Sequence, residues 1–118
     1  MAASVHFGLD PADRLRHARQ LVGLIGSAQA PVVIGGDFNE TIDGTARAVV
    51  ARVAGDPGDP ADPTFPASGP VRRIDGIHVS DGMSVRSAEV VTRTPSVPPE
   101  QMARASDHLP VVVDTDLR

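Results

Sequence analysis

At 118 residues the chain fits a single domain, and an apolar content of 41% is enough for a packed core. Its net charge of −4 argues against a basic, non-specific nucleic-acid binder, but not against a nuclease, because bound divalent cations supply positive charge where a phosphate sits. With no cysteine, disulfides, thiol catalysis and thiolate metal sites are excluded together.

The core must be filled by Val, Ile, Leu and Ala, since the chain has no Trp or Tyr and only Phe7, Phe38 and Phe65. Eleven glycines and eleven prolines predict many loops rather than a helical bundle. Ser4 to Leu9 reads as a short strand running into a turn. Asp10-Pro11-Ala12-Asp13 is a helix start: Asp10 can cap, Pro11 suits the first helical position, and Asp13 favours the positive helix end. Leu15, Ala18, Val22 and Ile25 then recur at helical spacing, Leu21 and Leu24 widen the stripe, and Gly26 is the terminator. Ala30 to Gly36 is an apolar, β-branched run closed by two glycines, as a buried strand reads. A second helix is predicted over about Thr45 to Ala54, giving a local β-α-β-α order. Gly55 to Pro70 reads as a surface loop bordering a site. Strands are predicted over Val71 to Ser80, Ser84 to Arg93 and Leu109 to Asp116, with Thr94 to Ala105 irregular except for a helical turn after Pro99. No apolar run approaches the roughly 18 residues of a transmembrane helix. The opening MAASVHFGLD lacks the pattern of a signal peptide, so a cytoplasmic location is expected.

Three motifs carry chemistry. Gly36-Asp37-Phe38-Asn39 ends a buried strand, where open sheets place ligands. On extended chain Asp37 and Asn39 point the same way and Phe38 into the core, so the pair would coordinate a hard cation or orient a water and a phosphoryl oxygen. An Asx turn accounts for the same residues. Arg73-Ile74-Asp75-Gly76-Ile77 sets a carboxylate in an apolar strand, where it needs a partner. That partner is an arginine such as Arg72 or Arg73, or a histidine whose tautomer Asp75 fixes. In Ser106-Asp107-His108-Leu109-Pro110 an extended backbone would send Asp107 and His108 to opposite sides, so only a turn lets both serve one site. Capping or turn formation is the bland role.

In this order, GDFN, RIDGIHVS and SDHLPVVV resemble the endonuclease/exonuclease/phosphatase (DNase I-like) superfamily. Pro63-Thr64-Phe65-Pro66-Ala67 ahead of RID is similar too, as is Val5-His6-Phe7 followed by Arg14 and Gln20. The resemblance implies an α/β (α+β) fold that is half of a four-layered α/β sandwich, with one mixed sheet and flanking helices. It implies that His108 contacts the scissile phosphate and that Asp75 orients it. Asp37 positions or activates the attacking water, Asn39 holds phosphate or metal, Asp107 is a metal ligand or its neighbour, and His6 is a second phosphate-facing histidine. The catalytic set is then His108, Asp37, Asn39, Asp75 and His6, and the metal set Asp107, Asp37 and Asn39. The implied chemistry is Mg²⁺- or Mn²⁺-assisted attack of water on a phosphodiester or phosphomonoester. His17 and His78 match no motif and read as surface or strand histidines.

Two departures from the family pattern stand out. Members are about twice as long, and the glutamate that is their main metal ligand lies in an N-terminal half with no counterpart here. Residues 1–118 therefore read as one partial domain, the C-terminal half, with activity impaired. The alternative is a non-catalytic remnant or interaction module. An open sheet face would promote association with a second copy or the missing half, or leave the chain marginally stable. Gly76 stands where an aromatic is more usual, which weakens local packing and the substrate wall. The substrate, whether nucleic acid or a phosphorylated small molecule or lipid headgroup, is not legible.

Overall fold

A computed structural model describes residues 1–118. In chain order it contains β1 (Ala2–His6), α1 (Pro11–Ile25), β2 (Val33–Asp37), α2 (Thr45–Val50), β3 (Asp75–Val79), β4 (Met83–Val90), α3 (Pro99–Ala105) and β5 (Val111–Leu117). The expected mixed sheet has three strands in the order β1-β2-β3, with β1 parallel and β3 antiparallel to β2. The last two strands pair only with each other, as an antiparallel ribbon with a register shift between Val85 and Ser87. The α/β class and half-sandwich architecture are as anticipated.

Alternation along the strands decides what the sheet covers. Ile34 and Phe38 in and after β2, Phe7 after β1, and Gly76 and His78 in β3 point to one face, which α1 and α2 cover. Ala18 and Ile25 of α1 and Ala46 and Val50 of α2 pack there. Only 18 of 118 residues are buried, so this one-sided core is the main apolar burial. Leu24, counted in the helical stripe, is 75% exposed; the contact runs through Ala18, Leu21 and Ile25 instead. The opposite face carries Ser4, Gly35, Ile77, Leu109 and Val111 around an open cavity of about 370 Å³.

Asp10 caps α1 as predicted, accepting from the Ala12 and Asp13 amides at 2.8 and 3.3 Å. The α2 start, Gly44, offers no side-chain cap. Glu40 reaches forward in its place, its Oε2 accepting from the Arg47 amide at 3.1 Å. Regular β3 begins only at Asp75, because the residues before it turn back, Arg72 bridging to Phe65. Gly55 to Pro70 is not wholly a surface loop: the side chain of Asp56, and Thr64 and Ala67, are buried within it. No helix is long and apolar enough to cross a membrane.

Candidate active site

Sheet register builds the first part of the site. His6, Asp37 and Asp75 are Cα partners across β1, β2 and β3, one rung on the uncovered face. The two histidine-bearing segments then approach the same carboxylate. His6 Nε2 lies 3.5 Å and His108 Nε2 3.8 Å from Asp37 Oδ2.

His108 reaches the rung from the bend before β5. The Ser106 hydroxyl accepts from the His108 amide at 3.1 Å, which supplies the turn that an extended reading of Asp107-His108 lacked. Asp107 therefore sits on the same side, its Oδ1 3.9 Å from His108 Nε2, although its side chain is 79% exposed. The PTFPA segment fixes the bend: the Ala67 amide donates to Asp107 O at 2.7 Å and the Leu109 amide to Thr64 O at 2.8 Å.

Asp75 pairs with His108 rather than with an arginine. His108 Nδ1 lies 2.8 and 3.0 Å from the two Asp75 oxygens. Since a carboxylate only accepts, Nδ1 carries the proton and Nε2 is presented to the open side. Thr64 Oγ1 donates to Asp75 Oδ2 at 2.6 Å, so both Asp75 oxygens are engaged. The Phe65 ring packs on the imidazole at 4.8 Å. Partial burial pulls the His108 pKa down, but the hydrogen bond and charge of Asp75, with Asp37 and Asp107, outweigh it and leave the imidazole more basic than an ordinary histidine.

Asp37 and Asn39 are brought together differently from the extended picture. The strand ends at Asp37, and Asn39 adopts a left-handed φ of 52°, a conformation that asparagine tolerates. Asp37 Oδ1 accepts from the Asn39 amide at 2.8 Å, an Asx turn, and Asn39 Nδ2 donates to Phe7 O at 2.6 Å. The turn and the site are the same object. Gly36, at φ 150°, has no room for a Cβ, which would overlap the Val5 carbonyl. Phe38 is fully buried, as anticipated.

Asp37, Asp75 and His108 offer potential ligand atoms within 4.8 Å of one another. With Asp75 engaged by His108 and Thr64, and Asp37 Oδ1 by the Asn39 amide, Asp37 Oδ2 is the oxygen of this cluster best placed to meet a hard cation. Glu40 cannot join it: it is 6% exposed and held by Arg14 Nε at 2.8 Å.

Thr64 and Phe65 belong to the site and carried no individual role in the motif reading, although PTFPA marked their position. Gly76 does not thin a substrate wall. Its Cα faces the covered side, where a Cβ would overlap Asp56 and Arg47, so an aromatic has no space there. His78 is a strand histidine and fully buried, while His17 lies half-buried against Phe7, their ring centroids 6.1 Å apart.

The profile of the Endonuclease/Exonuclease/phosphatase family matches residues 3–108. No curated protein sequence matches the chain. Among solved structures, an endonuclease/exonuclease/phosphatase family protein from Bacteroides thetaiotaomicron superposes with a TM-score of 0.79 at 21% identity, over 98% of this chain and 49% of that one. A mannosyl-6-phosphatase from the same organism gives 0.72 at 21% identity, over 97% and 50%. The human Nocturnin catalytic domain with bound sulfate gives 0.69 at 20% identity, over 98% and 46%. The chain thus spans about half the length of these structures, and the likeness shows their fold. With a family profile covering most of its length, the chain belongs to the endonuclease/exonuclease/phosphatase family.

Proposed function

We propose that the chain is the C-terminal half of a metal-dependent phosphoesterase that hydrolyses a phosphodiester or phosphomonoester bond. The observation that carries the reading is the His108–Asp75 pair, its free Nε2 turned toward Asp37 on the open rung. His108, made more basic by Asp75, binds a phosphoryl oxygen and stabilises the charge that develops as water attacks. Asp37 orients that water and accepts its proton, and Asn39 and His6 hold the remaining phosphoryl oxygens. Asp37, Asn39 and Asp107 would hold Mg²⁺ or Mn²⁺, which when bound neutralises charge on the phosphoryl oxygens and leaving group. Two of the fold's relatives support an oxyanion ligand, one a mannosyl-6-phosphatase and the other carrying sulfate. The open face around Ser4, Gly35 and Ile77 would be covered by an N-terminal half or a second copy.

A second reading is favoured by Glu40. It lies next to Asn39 but is committed to Arg14 and the Arg47 amide, so the site offers no free glutamate for a metal. On that reading the chain is a non-catalytic remnant or interaction module. Hydrolysis of bis(p-nitrophenyl) phosphate and p-nitrophenyl phosphate, with and without Mg²⁺, separates the two. Mg²⁺-dependent turnover that His108→Ala removes supports the hydrolase; no turnover by the folded chain sinks it for these 118 residues.

A further inference from the structure

Beneath the Asp37–Asn39 turn lies a set of buried ions that the proposed chemistry does not use. The Phe38 ring is enclosed by Phe7, edge-on at 5.3 Å, by His78 at 5.0 Å, and by the Arg47 guanidinium carbon 4.7 Å from its centre. Arg47 has no exposed surface. Its Nη2 donates to Asp56 Oδ2 at 2.6 Å and lies 3.1 Å from His78 Nε2. Its Nε and Nη1 are buried with no hydrogen-bond partner, so the face of Phe38 is the electron-rich group left to them. Leaving two charged donors without oxygen partners is costly, and a role in packing alone would be met by an apolar side chain.

The connections run to every strand of the rung. Asp56 is braced by Arg73, with Nη2 to Oδ1 at 3.6 Å, two residues before Asp75. Glu40, next to Asn39, joins the Arg47 amide to Arg14, which also donates to the Leu9 carbonyl beyond β1 at 2.6 Å. From this geometry we propose that Arg47 is a positioning residue for the Asp37–Asn39 turn, its flat guanidinium fixing Phe38 from beneath. A lysine would keep the charge but lose the planar fork and the stacking.

The proposal rests on the hydrolase reading for what the turn does, not for how it is held, so NMR tests it without turnover. In the wild-type chain near neutral pH, His78 should be the neutral Nδ1–H tautomer, because Nε2 accepts from Arg47 and Nδ1 faces the Ala54 carbonyl at 2.9 Å. The Arg47 Nε–H signal should be ring-shifted and slow to exchange. An Nε2–H or doubly protonated His78, or a rapidly exchanging Arg47 Nε–H, overturns the proposal with no variant needed. In Arg47→Lys and in Arg47→Met/Asp56→Asn, Asn39 amide exchange should rise about tenfold beyond what lost global stability explains, while β4 and β5 amides follow global stability. Asn39 exchange that merely tracks global stability overturns it. If the variants do not fold, the wild-type signals decide. In a turnover assay Arg47→Lys should lower kcat about tenfold with KM unchanged, and an unchanged kcat overturns the proposal. A wild type without turnover counts against the hydrolase reading only, and the amide exchange still decides Arg47.

Discussion

The two faces of the β1-β2-β3 sheet each meet a partnered histidine, and they treat it in opposite ways. On the open face His108 meets Asp75, Asp37 and Asp107 and becomes more basic than usual. On the covered face His78, no exposed surface left, sits beside Arg47 and becomes less basic. Burial dominates that shift; the Ala54 carbonyl and Asp56 oppose it, and Arg47 and Arg73 add to it. Alternation along β3 separates the two environments by a single residue step, Asp75 facing out and Gly76 and His78 facing in. On the proposed function the open face meets a ligand, and the covered face holds the first in place. Substitutions on the two faces should therefore fail in different assays.

The largest effect is expected from His108→Ala, which removes the group proposed to meet the phosphate. Turnover of a phosphodiester should fall by about 10²–10⁴-fold, with only a modest loss in the urea midpoint at neutral pH, because His108 is only half-buried and Asp75 keeps its Thr64 hydrogen bond. A large loss of stability would place His108 in the scaffold instead. Asp56→Ala is the mirror case. It leaves Arg47 and Arg73 buried without their carboxylate, which costs about 3–5 kcal/mol. Urea denaturation measures this, and a cost below about 1 kcal/mol would show the ion cluster to be water-exposed in solution.

Gly76→Ala should follow, at about 1–3 kcal/mol, since one added methyl must push Asp56 and Arg47 apart. A neutral result in the same denaturation experiment would mean that the pair has room to move.

The sequence exposed one face better than the other, for a physical reason. Asp37, Asn39, Asp75 and His108 stood in motifs because a site needs particular residue types at particular places. Arg47, Asp56 and Glu40 were missed because each has an ordinary local explanation. Arg47 lies in a short helix, Asp56 in a Asp-Pro-Gly turn, and Glu40 just past a strand. Only the fold brings them together, Glu40 to Arg47 over 7 residues and Arg47 to Asp56 over 9. Residue types fixed the α1 cap at Asp10 and the burial of Phe38, both local matters. The left-handed Asn39 was not legible, because alternation and the Asx turn both account for Asp-x-Asn. The separation of β4 and β5 from the main sheet was not legible either, since strand pairing depends on contacts that a single strand does not encode.

Acid titration sharpens the contrast between the histidines. Folded His78 stays neutral where an unfolded histidine takes up a proton. Its contribution to stability is full above the ordinary value of about 6.5 and is lost as pH falls below it. His108, raised in the fold, contributes below about 6.5, and that contribution is lost as pH rises through its folded pKa. The two oppose each other in the wild type. In His108→Ala only His78 remains, so Tm should fall more steeply between pH 7 and pH 5 than in the wild type. An equal or shallower fall would contradict the assignment of opposite shifts.

The smallest stability effect is expected where the open face is most open. His6 stands on the same rung as Asp37 and Asp75, yet its side chain is 77% exposed and its Nε2 is 3.5 Å from Asp37 Oδ2. Such a contact adds little to folding in water, so His6→Ala should shift stability by no more than about 0.5 kcal/mol. If His6 faces the phosphate, turnover should nevertheless drop. The pairing of unchanged stability with reduced turnover is what distinguishes a ligand-facing residue from a scaffold residue on the same strand. A His6→Ala chain that loses more than about 1 kcal/mol in urea denaturation would instead make the rung part of the fold's support. The division of labour between the two faces would then fail at its most exposed point.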